Sequence, residues 1–178
     1  MNRSIDFSKP RPANRVGDGD RAGPLPRLIL RAFLLVGLSV ALPLSASDVE
    51  WPRHGLNAGE TRFSSLKQIN ESTIGTLGLA WSFPMGTRRG LEASPIMVDR
   101  TLYVSSAWSK VYALDAVTGA LKWSFDPQVP KAWGANACCD VVNRGVAVAG
   151  DTVFVGTLDG YLVALDRETG VSKWRVLT

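Results

Sequence analysis

The sequence has few of the residues from which metal centres and catalytic dyads are usually built. His54 is the only histidine in 178 residues, so a metal cluster built from several histidines cannot form. We therefore predict that His54 is structural. The only cysteines are the neighbours Cys138 and Cys139, and no CxxCH segment for haem attachment is present.

An excess of charge is also absent from most of the chain. The net charge of +4 arises in residues 1–47, which hold seven of the 20 Lys and Arg residues but only three of the 16 Asp and Glu residues. From residue 48 onwards the two signs balance at thirteen each. Nucleic-acid binding needs a concentration of basic residues, so we predict no nucleic-acid partner.

Residues 1–47 are predicted to contain an export signal. Arg27 and Arg31 precede an apolar stretch at 32–44, and small residues follow at 45–47. This stretch is shorter than the about 20 residues that span a bilayer, which favours a cleaved signal peptide; an uncleaved anchor helix is the alternative. No cysteine follows the stretch closely, which disfavours a lipoprotein anchor. After cleavage we expect no stable membrane span.

The segment before Arg27 is long and rich in proline, glycine and charge. This composition predicts disorder, and a misplaced start codon would also explain the segment.

An internal repeat organises the rest of the chain. Residues 113–123 (ALDAVTGALKW) recur at 164–174 (ALDRETGVSKW), an offset of 51 with seven of eleven positions identical. The match extends upstream to 101–104 and 152–155, and a third, partial copy ends at Trp81. A fixed period of this length indicates a repeat architecture.

Each repeat is predicted to be β-structure. Runs of β-branched and aromatic residues favour short strands, and the Asp159-Gly160 pair indicates a hairpin turn. In the ALDxxTG segment, Asp115 and its counterpart Asp166 are expected to cap backbone N–H groups, and the glycine to adopt a left-handed conformation. The strand that follows is expected to end in the tryptophan, whose side chain fills the space between neighbouring sheets.

This pattern predicts an all-β fold, a partial β-propeller. Propellers close with roughly 4 to 8 blades of about 40 to 50 residues each, so residues 48–178 are predicted to form an incomplete propeller domain of two to three blades. A β-sandwich is the alternative, but it needs no tryptophan at a fixed period.

The adjacent cysteines are open to two interpretations. A disulfide prefers Cα atoms about 5.5 to 6 Å apart, whereas neighbouring residues lie about 3.8 Å apart. A bridge between neighbours is a strained ring, and such strain persists mainly at functional sites. The alternative is two reduced cysteines packed as small hydrophobic residues.

The surrounding motifs resemble the pyrroloquinoline-quinone (PQQ) dependent alcohol dehydrogenases, and most closely the quinohaemoprotein type. The motifs are CCDVVNRGVA at 138–147, RGLEASP at 89–95, WPRHGLN at 51–57 and ETRFS at 60–64. The ALDxxTGxxxW repeat resembles the tryptophan-docking motif of the same propellers. The resemblance covers essentially all of residues 51–178.

The resemblance implies an eight-bladed propeller with PQQ in its central funnel. It implies that Cys138 and Cys139 form a vicinal disulfide against one face of the quinone, that Arg144 meets a PQQ carboxylate, and that Glu92 also contacts the cofactor. The repeat register supports a common location for Glu92 and Arg144, because subtracting the offset of 51 from Arg144 gives position 93, next to Glu92. Both side chains are therefore expected just before the inner strands of consecutive blades.

The resemblance also implies a periplasmic enzyme that oxidises a small alcohol and passes electrons to a cytochrome. Its Ca²⁺ ligands, its catalytic Asp and the Trp on the second quinone face are expected in later blades, so neither a metal ligand nor a catalytic base is predicted in this chain. Residues 48–178 alone are therefore expected to be inactive. The alternatives are a non-catalytic propeller scaffold of the outer-membrane assembly type and a truncated gene remnant.

Overall fold

The computed structural model describes residues 50–178, and its strands form two four-stranded antiparallel sheets in which each strand pairs with the next along the chain. The first sheet contains β1 (Ile96–Val98), β2 (Thr101–Ser105), β3 (Val111–Asp115) and β4 (Leu121–Phe125). The second contains β5 (Ala147–Ala149), β6 (Thr152–Gly156), β7 (Tyr161–Asp166) and β8 (Ser172–Leu177). Short 3-10 segments occur at Ile74–Thr76, Ala107–Ser109 and Lys131–Asn136. The prediction of an all-β partial propeller is confirmed.

The core lies between the two sheets. The first sheet contributes Ile96, Tyr103, Val111, Ala113 and Trp123, and the second contributes Val153, Val155, Val163 and Leu165. Alternate residues of a strand point to opposite faces, which is why Val153 and Val155 are buried towards the first sheet while Phe154 between them is only partly buried. The two blades thus share one apolar layer.

A tryptophan of the first blade docks on a glycine turn of the second. Trp123 is 7% exposed, and its indole Nε1 donates a hydrogen bond to the carbonyl oxygen of Arg167 at 2.8 Å. A Cβ atom on Gly170 would lie 2.5 Å from the indole ring. Gly170 also has φ +72°, so both the ring and the backbone conformation favour glycine there.

The partial third copy makes the same contact with the first blade. Trp81 Nε1 donates to the carbonyl oxygen of Ala116 at 3.3 Å, and a Cβ on Gly119 would lie 2.5 Å from the Trp81 ring. The expectation that the repeat tryptophan fills the space between sheets therefore fits Trp123, and Trp81 makes the same contact with the first blade from a segment outside the described strands. The expectation that the strand ends in tryptophan was wrong, because Trp123 lies inside β4 and Trp174 inside β8.

The ALDxxTG turns are built as the sequence predicts. Asp115 Oδ1 accepts hydrogen bonds from the Val117 and Thr118 backbone N–H groups and from the Thr118 hydroxyl, at 2.8 to 3.0 Å. Asp166 repeats this arrangement with Thr169. Donation from the Thr118 backbone, and then from its hydroxyl, lowers the pKa of Asp115, because these bonds favour the carboxylate. Both aspartates are thus turn residues.

The loops of the two sheets lie at two opposite ends of the strands, which we call the upper and the lower rim. The upper rim is the end at which β1 and β5 begin, and the lower rim is the opposite end, where the ALDxxTG turns lie. The predicted Asp159-Gly160 hairpin joins β6 to β7 at the upper rim. Within residues 50–178, no helix is both long and apolar enough to cross a membrane. The predicted signal peptide at 1–47 lies outside the described residues.

The docking contact predicts different costs for two glycine substitutions. Gly170→Ala places a methyl group against Trp123 at positive φ, whereas Gly150→Ala meets open space at φ +58°. Gly150→Ala should lower the free energy of unfolding by only about 1 to 2 kcal/mol, the cost of an alanine in the left-handed conformation. Gly170→Ala should lower the free energy of unfolding by at least about 1 kcal/mol more, because overpacking adds to the same backbone cost. Denaturant melts of the two variants of the full-length protein test this, and equal losses would contradict it.

Candidate cofactor site

The predicted site residues lie on two upper-rim segments that precede the inner strands β1 and β5. We call residues 89–95 the first site segment and 138–145 the second. Ser94 bridges Gly145 in parallel, and the Ser94 N–H donates to the Arg144 carbonyl oxygen at 3.3 Å. The two segments therefore run side by side, as expected of adjacent blades around a common axis.

This alignment brings Glu92 and Arg144 together. Arg144 Nε lies 3.1 Å from Glu92 Oε2, and the Arg144 side chain is 79% exposed. The Nε atom makes the one ion pair of Arg144 within the described residues, so the two terminal amino groups of this exposed guanidinium make no ion pair there. A guanidinium in this state can still bind a carboxylate as a two-point fork.

A second ion pair fastens the same two segments. Arg89 Nη1 contacts Asp140 Oδ1, and Asp140 Oδ1 also accepts the Val141 N–H at 2.8 Å. The Val141 N–H and, after it, the Arg89 guanidinium lower the pKa of Asp140. Asp140 has φ +72°, which a short polar side chain tolerates best. Asp140 thus caps its own loop and also holds the first site segment, a role that the sequence did not reveal.

The two cysteines lie exposed on the second site segment as free thiols. Their Sγ atoms are 2.9 Å apart, longer than the about 2.05 Å of a covalent bridge. Hydrogen bonding to Cys138 raises the pKa of the Cys139 thiol; the Glu92 charge raises it further, and the Arg144 charge lowers it. The thiols, Glu92 and Arg144 therefore share one electrostatic environment. The disulfide itself stays a prediction.

Trp108 contacts the second site segment and helps to hold it in place. The sequence analysis did not identify this residue. Its backbone N–H donates to the Val141 carbonyl oxygen at 2.8 Å, and Lys131 Nζ lies 3.8 Å from the centre of its ring. A Cβ atom on Gly134 would approach the ring to 3.0 Å. Trp108 has φ +63°, unusual for a bulky residue. Only the folded loop shows this role, because the sequence places Trp108 about 30 residues from its partners.

His54, which the sequence analysis predicts to be structural, lies outside the two site segments. Its Nε2 is 2.6 Å from an amino group of Arg62, and its backbone oxygen accepts the Trp51 indole N–H at 3.3 Å. These contacts agree with a structural role. Within residues 50–178, no group of three or more His, Cys, Asp or Glu side chains is arranged to hold a metal ion.

Comparison with known families identifies this architecture. Residues 51–174 match the family model described as PQQ glucose/ethanol/alcohol dehydrogenase, beta-propeller domain. The chain belongs to this PQQ β-propeller family. The resemblance inferred from the motifs is confirmed.

Similar curated proteins are longer members of the same family. The chain is 49% identical over 152 residues to 1-butanol dehydrogenase (cytochrome c) of Thauera butanivorans, covering 85% of this chain and 22% of that protein. It is 51% identical over 125 residues to quinohemoprotein alcohol dehydrogenase ADH IIB of Pseudomonas putida, covering 70% of this chain and 18% of that protein. The chain thus spans about a fifth of the length of the curated relatives it matches.

Solved structures of the family agree with the fold. The crystal structure of the quinohemoprotein alcohol dehydrogenase of Comamonas testosteroni superposes with a TM-score of 0.71 at 48% identity, covering 72% of this chain and 19% of that one. A europium-containing methanol dehydrogenase gives a TM-score of 0.68 at 45% identity, covering 71% of this chain and 23% of that one. The two sheets are therefore two blades of a PQQ propeller.

The residues of the two site segments fit PQQ in their chemistry. PQQ carries carboxylates and a flat ring system. The exposed terminal amino groups of Arg144 suit a carboxylate, and the paired Cys138 and Cys139 offer an exposed, weakly polar surface for a ring. The fit rests on these donors and on their position beside the innermost strands.

We predict that Cys138 and Cys139 are bridged to each other in the exported protein. Their sulfur atoms already adjoin, and an oxidising compartment preserves disulfides. Formation of the bridge removes two hydrogen atoms, one from each thiol, and passes two electrons to an oxidant of that compartment. Mass spectrometry of the non-reduced protein after alkylation should find neither cysteine modified, and the reduced control should find both. Two alkylated thiols without reduction, or a dimer linked through them, would contradict the prediction.

Proposed function

We propose that this chain forms the first blades of a periplasmic PQQ-dependent alcohol dehydrogenase. The observation that carries the proposal is the Arg144–Glu92 pair at 3.1 Å, on segments that precede two adjacent inner strands and beside exposed vicinal cysteines. The relatives named alcohol and 1-butanol dehydrogenases support an alcohol substrate. The product would be an aldehyde or a ketone.

The chemistry that PQQ supplies when bound is uptake of two electrons and two protons from the alcohol. This chain's residues would bind and orient the cofactor. The terminal amino groups of Arg144 would bind a carboxylate, and Glu92 would hold the guanidinium through Nε so that the fork faces the funnel. Cys138 and Cys139 would cover one face of the ring and keep water from it. The Arg89–Asp140 pair would keep the two site segments together.

Other parts of the enzyme would supply the remaining chemistry. We infer that Ca²⁺ accompanies PQQ, and that its ligands and the base acting on the alcohol lie in later blades, as the family resemblance implies. A cytochrome is the proposed electron acceptor, supported by the words "cytochrome c" in the name of the Thauera relative. The predicted signal at 1–47 supports export to the periplasm.

The proposed role of Arg144 predicts the effect of its substitution in the full-length protein. Arg144→Ala should weaken PQQ binding by about tenfold to a hundredfold, because a charge-assisted fork is worth roughly 1.5 to 3 kcal/mol. Arg144→Lys should recover only part of this, because an ammonium cannot form the fork. Titration calorimetry with PQQ measures both, and Arg100→Ala at the lower rim serves as the control. Unchanged affinity in Arg144→Ala would show that Arg144 is structural.

We also predict that residues 48–178, produced alone, aggregate or fold incompletely and show no alcohol-dependent dye reduction with PQQ and Ca²⁺. Trp174 is 46% exposed, whereas its counterpart Trp123 is 7% exposed, and Val176 and Leu177 beside it are also exposed. End repeats with an uncovered apolar face lose solubility. Size-exclusion chromatography and a dye assay provide the measurements. A monomeric, cooperatively folding preparation with turnover would refute the prediction.

A further inference from the structure

Asn143, the residue before Arg144, has a fully bonded side chain. Its Oδ1 accepts hydrogen bonds from the Ser105 hydroxyl at 2.7 Å and from the Gly145 backbone N–H at 3.0 Å. Its Nδ2 donates to the Gly156 carbonyl oxygen at 2.9 Å and to the Ser109 hydroxyl at 3.3 Å. An amide offers two donor hydrogens and an acceptor oxygen with two lone pairs, so the side chain uses its whole capacity.

The four partners come from three separate parts of the fold. Ser105 ends β2 and Ser109 lies in the turn that follows, so both belong to the first blade. Gly156 ends β6 of the second blade, and Gly145 belongs to the second site segment. Ser105 and Ser109 are each 1% exposed. Asn143 therefore fastens the site segment to both blades through a largely buried polar network.

Ser109 extends this network into the second blade. Its hydroxyl oxygen also accepts the Leu158 backbone N–H at 3.1 Å, in the loop between β6 and β7. A buried hydroxyl that meets both the amide of Asn143 and a backbone group is costly to leave partly unpaired. Displacement of Asn143 away from either blade would therefore break hydrogen bonds of this network.

The position of Arg144 depends on this anchor more than on its own side chain. The guanidinium is 79% exposed and, within the described residues, pairs only with Glu92. Exposed ion pairs contribute little on their own. The peptide unit that joins Arg144 to Gly145 is held instead: the Gly145 N–H donates to Asn143 Oδ1, and the Arg144 carbonyl oxygen accepts the Ser94 N–H. A ligand-binding side chain on a fixed backbone loses less entropy on binding.

We propose that Asn143 is a positioning residue for cofactor binding, acting through Arg144. The inference rests on the proposed function, because it assumes that Arg144 meets a PQQ carboxylate. Asn143 does not touch the cofactor in this proposal; it holds the Arg144 backbone so that the guanidinium fork points into the funnel.

A double-mutant cycle in the full-length protein tests the proposal. Asn143→Ala should weaken PQQ binding, measured by titration calorimetry, by about tenfold, the scale of one to two lost hydrogen bonds. In the Arg144→Ala background the same substitution should change the affinity by less than about twofold. Ser105→Ala, which removes one of the four bonds, should give a smaller loss that also disappears in that background, and it serves if Asn143→Ala does not fold.

Thr169→Ala is the matched control. It removes two side-chain hydrogen bonds of the Asp166 turn at the lower rim, so it should lower the melting temperature without changing PQQ affinity. This separates loss of stability from loss of positioning.

Hydrogen exchange provides a measurement that needs no cofactor. The Gly145 N–H donates to Asn143, so Asn143→Ala should speed deuterium uptake at residues 144–146, whereas Thr169→Ala should not. Unchanged exchange in Asn143→Ala would overturn the anchoring role, and unchanged PQQ affinity or equal losses with and without Arg144 would overturn the coupling. Absence of PQQ binding by the unmutated protein would overturn the proposed function instead, and the exchange result would still decide whether Asn143 anchors the segment.

Discussion

The docking of Trp123 on the Gly170 turn is the contact on which the rest of the described structure depends. The indole fills the space that a side chain on Gly170 would occupy, and its N–H satisfies a backbone carbonyl of the neighbouring sheet. One side chain therefore combines apolar burial with a directional bond. The Arg167–Asp99 ion pair at 2.9 Å strengthens the same boundary at the lower rim. Together these contacts fix the angle and the separation of two sheets that share one apolar layer.

The cofactor site follows from that fixed arrangement. When the two blades lie against each other, their inner strands β1 and β5 begin at the same rim, and the segments before them run side by side. Two ion pairs then cross between these segments, Arg89 with Asp140 and Arg144 with Glu92. Each pair is exposed and weak in isolation. Their geometry is therefore set by the backbone, through the Ser94–Arg144 hydrogen bond and the Asn143 anchor, and not by the charges alone.

Much of the site could be predicted because the signals are local or periodic. The Asp115 and Asp166 turns need only a few neighbouring residues, and the repeat offset gives Glu92 and Arg144 nearly equivalent positions in consecutive repeats. Trp108, Arg89 and Asn143 could not be found in this way. Trp108 contacts Val141 and Gly134, Arg89 contacts Asp140, and Asn143 contacts Ser105, so each role joins residues that are far apart in sequence. Nothing in the local pattern distinguishes such residues from ordinary loop residues.

The sequence by itself determined the fold class, the repeat period, the turn chemistry and the family, because each is encoded in residue spacing or in contiguous motifs. Only the tertiary structure decided where the docking tryptophans sit within their strands and which polar side chains hold the site segments. The physical reason is that hydrogen bonds are directional and short-ranged. The Asn143 amide can make its four hydrogen bonds only after folding has brought polar atoms of both blades and of the second site segment to within about 3 Å of its side chain.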